Sequence, residues 1–254
     1  MKFLDSLLKG FGREAPARGK AGARAYAVGD IHGRLDLLED LLAKIEADVA
    51  ARPPRRNFIV FLGDLIDRGA ESSGVVERLR NFHPRFARPI FLAGNHEEVL
   101  LEILGGRAEI IADWMKFGGA ECAASYGVDV DRLRRMEDEE ALEVLRKAVP
   151  AAHVEVLEGF GDTFSFGDYL FVHAGIRPGV GLDAQDRRDL RWIREPFLSD
   201  AKEHGFIVVH GHTIFDGVDE RANRIGIDTG AYRTNVLTAL AVEDERRWYL
   251  STVA

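Results

Sequence analysis

Acidic, amide and imidazole side chains recur in this sequence directly after short apolar runs, each time beside a glycine. Asp30 and His32 lie in the first such segment, and their spacing of two places both side chains on one side of an extended backbone. The other candidates follow later apolar runs. The six candidate ligands are Asp30, His32, Asp64, Asn95, His173 and His212. This set of oxygen and nitrogen ligands suits manganese, iron or zinc better than a soft metal.

Six such ligands are enough for two divalent ions if one carboxylate is shared. We expect Asp64 to be the shared ligand, because it lies between the two groups of ligands in chain order. A close pair of ions lowers the pKa of a water held between them, and the hydroxide formed can attack phosphorus directly. Arg68 follows shortly after and can neutralise phosphoryl oxygens with its two-pronged guanidinium. The pattern therefore predicts metal-dependent phosphoester hydrolysis.

Alternating strands and helices in the first hundred residues must bring these loops together. The predicted strands cover 24–28, 57–62 and 89–93, and the predicted helices cover 35–49 and 72–82. Ser72 or Ser73 is expected to cap the second helix. Three successive units of strand, glycine, polar loop and helix indicate an α/β fold with βαβ crossovers. Polar loops at the carboxyl ends of such strands converge on one site.

The second half of the chain has a different pattern. Residues 105–158 read as a helical insertion, in which 131–149 is the longest expected helix. Short strands follow, and their spacing favours antiparallel pairs with Gly167-Asp168 as a hairpin turn. These strands are expected over 163–166, 169–173, 206–209, 223–227, 236–242 and 248–253.

The organisation expected from these patterns is a tail over 1–23 and a single domain over 24–254. Within the tail, residues 2–11 can form a short amphipathic helix. A mobile segment, a helix that docks on a partner and a weak contact with a membrane surface are the alternatives for this tail.

Composition excludes several classes of protein. The chain has 254 residues, of which 46% are hydrophobic, so it can bury a large core. The net charge of −8 argues against nucleic acid as a partner, because such binding needs a basic surface. One cysteine, Cys122, rules out a disulfide framework within the chain. The sequence has no apolar run long enough to span a membrane and no signal peptide, so we expect a cytoplasmic protein.

Five motifs together resemble the phosphoprotein phosphatase (PPP) family of metallophosphoesterases, and within it the bacterial and lambda-phage-type Ser/Thr protein phosphatases. They are Gly29-Asp-Ile-His-Gly33, Gly63-Asp-Leu-Ile-Asp-Arg-Gly69, Gly94-Asn-His-Glu97, His173-Ala-Gly175 and Gly211-His-Thr213. Trp192-Ile-Arg194 and Ile227-Asp-Thr-Gly230 agree with them. The resemblance covers 25–242. It implies a calcineurin-like metallophosphoesterase fold, with a central β-sandwich of two mixed sheets flanked by helices instead of simple βαβ units.

The resemblance also implies a role for each site residue. His96, oriented by Asp67, is expected to protonate the leaving oxygen as a general acid. Arg68 and Arg194 are expected to bind the substrate phosphate. The expected cofactors are two divalent ions, manganese before iron or zinc. One ion is assigned to Asp30, His32 and Asp64, and the other to Asp64, Asn95, His173 and His212.

The expected substrate is a phosphoserine or phosphothreonine ester of a protein, or a small phosphoester. A dinucleoside polyphosphate hydrolase is the alternative enzyme. The symmetrical dinucleoside tetraphosphatases share most of the motifs, but they usually lack an aspartate where this chain has Asp67 and prefer aspartate to Glu97. An inactive phosphopeptide-binding protein is the alternative outside enzymes. His210 lies outside the motif's ligand position and is expected to support the ligands or only to pack.

Overall fold

Two five-stranded sheets form the centre of the fold in the computed structural model, which describes residues 16–252. The strands are β1 (Ala23–Val28), β2 (Arg56–Phe61), β3 (Arg88–Phe91), β4 (Thr163–Phe166), β5 (Tyr169–Val172), β6 (Ile207–His210), β7 (Asp219–Glu220), β8 (Arg224–Gly226), β9 (Thr238–Glu243) and β10 (Arg246–Ser251). The first sheet has the order β10-β9-β1-β2-β3 and the second the order β4-β5-β6-β8-β7.

Both sheets are mixed. The strands β1, β2 and β3 are parallel neighbours, and β9 and β10 add an antiparallel edge. In the second sheet, β5, β6 and β8 are parallel, whereas β4 and β7 pair antiparallel at the two edges. The expected arrangement of two mixed sheets is therefore confirmed.

Side chains point alternately to the two faces of each strand. One core therefore lies between the two sheets, and one further core lies on the outer face of each sheet. Ala25 and Ala27 of β1 pack towards Phe171 and Val209 of the second sheet. The intervening Tyr26 faces the other way, into the largest core, beneath the helices. A smaller core covers the outer face of the second sheet around Phe197.

Ten helices flank the sheets in the described part of the chain, most of them short. They are α1 (Leu35–Ala50), α2 (Ser72–Arg80), α3 (Asn95–Leu104), α4 (Ile111–Trp114), α5 (Ala120–Ser125), α6 (Val130–Leu133), α7 (Asp138–Ala148), α8 (Ala151–Glu158), α9 (Arg187–Trp192) and α10 (Ala231–Thr234). A π-helical turn, Met115–Gly119, joins α4 to α5. Among the described helices, none has the length and apolar character needed to cross a membrane.

Three details of the expected secondary structure are wrong. Residues 131–149 form two helices, α6 and α7, because the stretch between Leu133 and Ala141 is mostly exposed and only Met136 within it packs against the core. Neither serine caps α2: the hydroxyl of Ser72 accepts from the Asp67 N–H, and that of Ser73 donates to the Ser125 carbonyl. The strand β6 is parallel to β5, because the long connection between them carries the chain back to the start of the sheet. The hairpin β4–β5 is antiparallel as expected.

The folded body begins before the expected boundary at Arg24. The side chain of Ala17 is buried, and the Gly19 N–H donates to the Asp244 carbonyl at 2.7 Å. The Arg18 N–H donates to the Asp168 carboxylate at 2.8 Å, in the turn between β4 and β5. Residues 17–19 therefore pack on the domain. The helix expected over 2–11 lies outside the described residues.

Candidate active site

Five loops that follow β1, β2, β3, β5 and β6 meet at one end of the sandwich. Each loop begins where a parallel strand of either sheet ends, so the geometry of the strands brings the loops together. They carry all six of the expected ligands, and every one of these side chains is buried. The sequence-predicted ligands therefore converge.

Asp64 lies at the centre of this cluster. Its Oδ2 is 3.7 Å from Nε2 of His32, and its Oδ1 is 3.4 Å from Nε2 of His173. Two groups of side chains with ligand atoms close enough to hold an ion share this carboxylate: His32, Asp64 and His96 form one, and Asp64, His173 and His212 the other.

Asn95 and Asp30 complete the cluster on either side of Asp64. The Asn95 Oδ1 lies 3.0 Å from His173 Nε2 and 2.8 Å from His212 Nδ1. The Asp30 carboxylate accepts the backbone N–H of His212 at 3.0 Å. An extended chain could not bring these residues together, because more than a hundred positions separate Asp30 from His212.

Hydrogen bonds determine which ring nitrogen carries a proton in two of the histidines. Nδ1 of His32 donates to the Ile66 carbonyl at 2.8 Å, and Nδ1 of His173 donates to the Leu62 carbonyl at 2.9 Å. In the neutral ring of His32, Nε2 then carries a free lone pair on the side of Asp64. In His173, burial disfavours the charged ring, but the charge and hydrogen bond of Asp64 outweigh burial and raise the pKa. Burial lowers the pKa of His32 to about 3 and that of His212 to about 2, which favours neutral rings. Neutral imidazole is the form that binds metal.

Two further features fit a cation at this site. Nε2 of His212 is buried and has no hydrogen-bond partner among residues 16–252. Burial, followed by the nearby charges of Asp228 and Asp64, raises the pKa of Asp30 well above its usual value. A divalent cation would relieve this crowding of negative charge. The donors present therefore fit a site for divalent metal.

His96 has a different environment from the other histidines. Its Nδ1 lies 2.6 Å from Asp67 Oδ2, and the guanidinium of Arg68 lies 3.2 Å from its Nε2. Burial disfavours the charged ring, but the charges of Asp64 and Asp67 and the Asp67 hydrogen bond outweigh burial and raise the pKa of His96 to about 9. Arg68 opposes this, and its donated hydrogen bond suits the neutral ring.

His96 lies close enough to Asp64 to be grouped with the candidate ligands, but its other contacts differ from theirs. Its Nε2 is 3.9 Å from Asp64 Oδ2, close to the distance found for His32. However, a carboxylate on Nδ1 and a guanidinium beside Nε2 leave this ring set up to exchange a proton. The buried pair of His96 and Asp67 can therefore hold a proton at the edge of the cluster.

Arg68 and Arg194 lie around the same cluster. The side chain of Arg68 lies over the ring of Tyr232, 4.8 Å from its centroid. Arg194 is exposed, and its charge helps to lower the pKa of His212, after the larger effects of burial and His173. Its neighbour Arg191 instead contacts carboxylates, with Nη2 at 2.6 Å from Asp162.

Sequence reasoning assigned no role to Glu97, Asp228 or Tyr232, although all three support the site. The Glu97 carboxylate accepts the backbone N–H groups of Asp64 and Leu65, each at 2.8 Å, so it ties the loop after β2 to α3. Asp228 lies close enough to Asp30 to raise the pKa of its carboxyl. The ring of Tyr232 lies edge-on to His32. Glu97 and Asp228 stand inside recognised motifs, whereas the sequence gives no signal for Tyr232.

His210 lies next to the cluster without entering it. Its Nδ1 is 3.0 Å from the Gly211 carbonyl, and the Arg224 guanidinium lies 3.4 Å from its Nε2. Burial lowers the pKa of His210 to about 4, so the ring is neutral. Its packing against Phe197 gives it a place beneath the loop that carries His212.

Comparison with known families agrees with this geometry. The family described as calcineurin-like phosphoesterase matches residues 23–236, most of the chain. The protein belongs to this family and is a hydrolase of the metallophosphoesterase class. The fold and family expected from the sequence motifs are confirmed.

Individual relatives differ in their substrates. The chain is 31% identical to the symmetrical bis(5'-nucleosyl)-tetraphosphatase of Xanthomonas euvesicatoria over 153 residues, which are 60% of this chain and 39% of that protein. It is 27% identical to serine/threonine-protein phosphatase 2 of Escherichia coli over 215 residues, 81% of this chain and 87% of that protein. The solved structure of a putative diadenosine tetraphosphatase superposes with a TM-score of 0.64 at 20% identity, covering 92% of this chain and 98% of that chain.

Proposed function

We propose that the protein is a metal-dependent phosphomonoesterase that hydrolyses phosphoserine and phosphothreonine esters. The observation that carries this proposal is the buried pair of His96 and Asp67, placed beside Arg68 at the edge of the Asp64 cluster. A proton donor next to a phosphate-binding guanidinium suits an ester whose leaving oxygen is strongly basic.

The ligands would hold two divalent ions that share Asp64. One set is Asp30, His32 and Asp64, and the other is Asp64, Asn95, His173 and His212. Such a pair of ions supplies an activated water as the nucleophile and a positive field for the phosphoryl oxygens. Oxygen and imidazole donors favour manganese, with iron or zinc as alternatives.

The other site residues act on the substrate itself. The guanidinium groups of Arg68 and Arg194 bind the phosphoryl oxygens and hold the ester in line for attack. Nε2 of His96 donates its proton to the departing oxygen, and the hydrogen bond to Asp67 keeps the ring in place. Arg68 must give up its contact with Nε2 before that nitrogen can carry a proton, so substrate binding and protonation of His96 are linked.

The charges around the site favour a monoester over a polyphosphate. A dinucleoside tetraphosphate carries several negative charges and needs a matching set of cations. Arg191 is already engaged with Asp162 and Glu98, and Arg34, beside the first loop, is paired with Asp36. The similarity to the E. coli protein phosphatase over most of both chains points the same way.

A dinucleoside polyphosphate hydrolase is the second candidate. It is favoured by the 31% identity to the Xanthomonas tetraphosphatase and by the superposition on a putative diadenosine tetraphosphatase. Against it, the first match spans only 39% of that relative.

A panel of three substrates tests the proposal. Phosphoserine peptides, diadenosine tetraphosphate and p-nitrophenyl phosphate are assayed with manganese, and Asp64→Asn serves as the control for contaminating phosphatase. We expect efficient cleavage of the peptides and of p-nitrophenyl phosphate. Efficient cleavage of the tetraphosphate alone would replace the proposal by the second candidate.

A further inference from the structure

The helical insertion contacts the loop after β2 at two consecutive residues. The indole Nε1 of Trp114 donates to Oδ2 of Asp67 at 3.0 Å. One turn later, the carbonyl of Gly118 accepts the backbone N–H of Arg68 at 2.9 Å. Both contacts join residues that lie about fifty positions apart in the sequence. The insertion therefore reaches the proton-donor pair and the phosphate-binding arginine together.

The loop needs this outside support because its backbone is strained. Asp67 and Arg68 both have left-handed backbones, with φ of 70° and 67°. Residues other than glycine rarely adopt this conformation, and two in succession persist only where the surroundings hold them. The Gly118 carbonyl supplies one such restraint on Arg68, and the Ser72 hydroxyl supplies another on Asp67.

Glycines in the π-helical turn make the close approach possible. Gly118 has φ of 110°, and a Cβ there would lie 2.5 Å from Cγ of Arg68 and 2.6 Å from its backbone nitrogen. A Cβ on Gly119 would overlap the Trp114 ring. Only glycine at both positions lets the turn lie against the loop while the indole remains beneath it.

The contact from Trp114 determines where the Asp67 carboxylate lies. Asp67 is fully buried, and Trp114 is 4% exposed. The same oxygen, Oδ2, receives both the indole N–H and Nδ1 of His96. Two donors on one oxygen hold that oxygen in place, and the carboxylate in turn positions the imidazole ring.

We infer that Trp114 is a positioning residue for the reaction: its indole N–H holds Asp67, and through Asp67 it holds the His96 ring against the departing oxygen. This inference rests on the proposed function, in which His96 is the proton donor. It gives the insertion a part in the chemistry.

The test compares two aryl phosphates whose leaving groups differ in basicity. Phenolate needs protonation as it departs more than p-nitrophenolate does, so a misplaced acid affects phenyl phosphate more. Trp114→Phe removes the N–H and keeps a flat ring. We expect kcat for phenyl phosphate to fall about tenfold and kcat for p-nitrophenyl phosphate about twofold, with KM and metal content unchanged.

The matched control is Trp248→Phe, far from the site. Nε1 of Trp248 also donates to a carboxylate, that of the partly buried Asp48, at 3.2 Å. The control therefore loses the same kind of hydrogen bond, and the ratio of the two substrates should stay at its wild-type value. Equal losses on both substrates for Trp114→Phe, or no loss on either, would overturn the inference.

A second variant keeps the inference testable if Trp114→Phe does not fold. Asp67→Asn leaves the tryptophan in place and weakens the link between it and His96. The ratio of the two substrates should shift in the same direction, and an unchanged ratio would overturn the inference. Failure of the wild-type protein to cleave either aryl phosphate would instead refute the proposed function.

Discussion

The backbone of Gly94 passes so close to Asp64 that a methyl group on residue 94 would overlap the Asp64 carboxylate. The same methyl group would lie 2.8 Å from Oε2 of Glu97, which holds the backbone of the Asp64 loop. The φ of Gly94 is −89°, which any residue can adopt, so the constraint at this position is purely steric.

Gly94→Ala should therefore displace the Asp64 carboxylate without straining the backbone of residue 94. A shift of about 1 Å in a catalytic group can cost about a hundredfold in rate, and we expect a loss of that order in kcat/KM for p-nitrophenyl phosphate. The control is Gly181→Ala, where φ is −63° and a Cβ would meet no atom within 4 Å. Wild-type activity in Gly94→Ala would contradict the close approach.

Asp64→Asn should lower both the metal content and the turnover. A neutral amide oxygen cannot bridge two divalent ions as a carboxylate does, so the bound metal measured by mass spectrometry should fall from two ions towards one. Turnover on every substrate should be almost lost. Asp131→Asn, on the surface of the insertion, is the control. Turnover near the wild-type value with two ions bound would show that Asp64 is not shared.

The sequence alone predicts the parts of this structure that depend on a local pattern of residues. A buried apolar run that ends at a glycine and a polar loop predicts β1, β2 and β3, and the motifs place Asp30, Asp64 and Asn95 at their ends. These elements are predictable because the hydrophobic pattern of a strand and the turn that follows it both depend on residues that are adjacent in the sequence.

Contacts between distant segments are not predictable in this way. Trp114 reaches Asp67 only because a kink at Gly118 turns the insertion back on the loop, and a single glycine in a helical pattern does not signal a φ of 110°. The predicted antiparallel direction is wrong for β5 and β6 for a related reason, since the spacing of the strands does not reveal the path of the long connection between them. Both depend on tertiary packing rather than local preference.

Arg194 and Arg191 should respond differently to truncation. Arg194→Ala removes an exposed guanidinium proposed to bind phosphate, and the loss of one charge-assisted hydrogen bond, about 1.5–3 kcal/mol, should lower kcat/KM about ten- to hundredfold. Metal content and thermal stability should remain unchanged, because Arg194 lies at the surface.

Arg191→Ala is the informative comparison for that prediction. Its guanidinium contacts Asp162 at 2.6 Å and Glu98 at 3.1 Å, so its removal takes one partner from each carboxylate and leaves Asp162 with Arg187 and Glu98 with the Trp192 indole. We expect a loss of stability of about 1–3 kcal/mol, measured by urea unfolding, with a smaller effect on KM than in Arg194→Ala. A larger rise in KM for Arg191→Ala than for Arg194→Ala would reverse the assignment.

The buried pair of Arg24 and Glu243 should make the stability of the domain sensitive to acid. Arg24 Nε donates to Glu243 Oε2 at 2.6 Å, where β1 lies beside β9, and both side chains are almost fully buried. Burial alone would raise the pKa of Glu243, but the hydrogen bond and charge of Arg24 outweigh it, with help from Arg246, and lower the pKa below its usual value.

A lowered pKa in the folded state fixes the direction of the pH effect. The carboxylate of Glu243 stabilises the fold fully above its unfolded pKa, about 4.3, and this contribution is lost as the pH falls through the lower, folded value. Glu243→Gln leaves the buried charge of Arg24 without a charged partner and should cost about 3–5 kcal/mol at pH 7. Below pH 4 the difference in the free energy of unfolding between wild type and variant should shrink, because Glu243 then gains a proton more readily in the unfolded wild-type chain than in the folded one. The exposed Glu139→Gln is the control, and it should unfold as the wild type does at both pH values. Urea unfolding at pH 7 and at pH 3.5 measures the two differences. An equal difference at both values would mean that the ionised form of Glu243 contributes nothing to the stability of the fold.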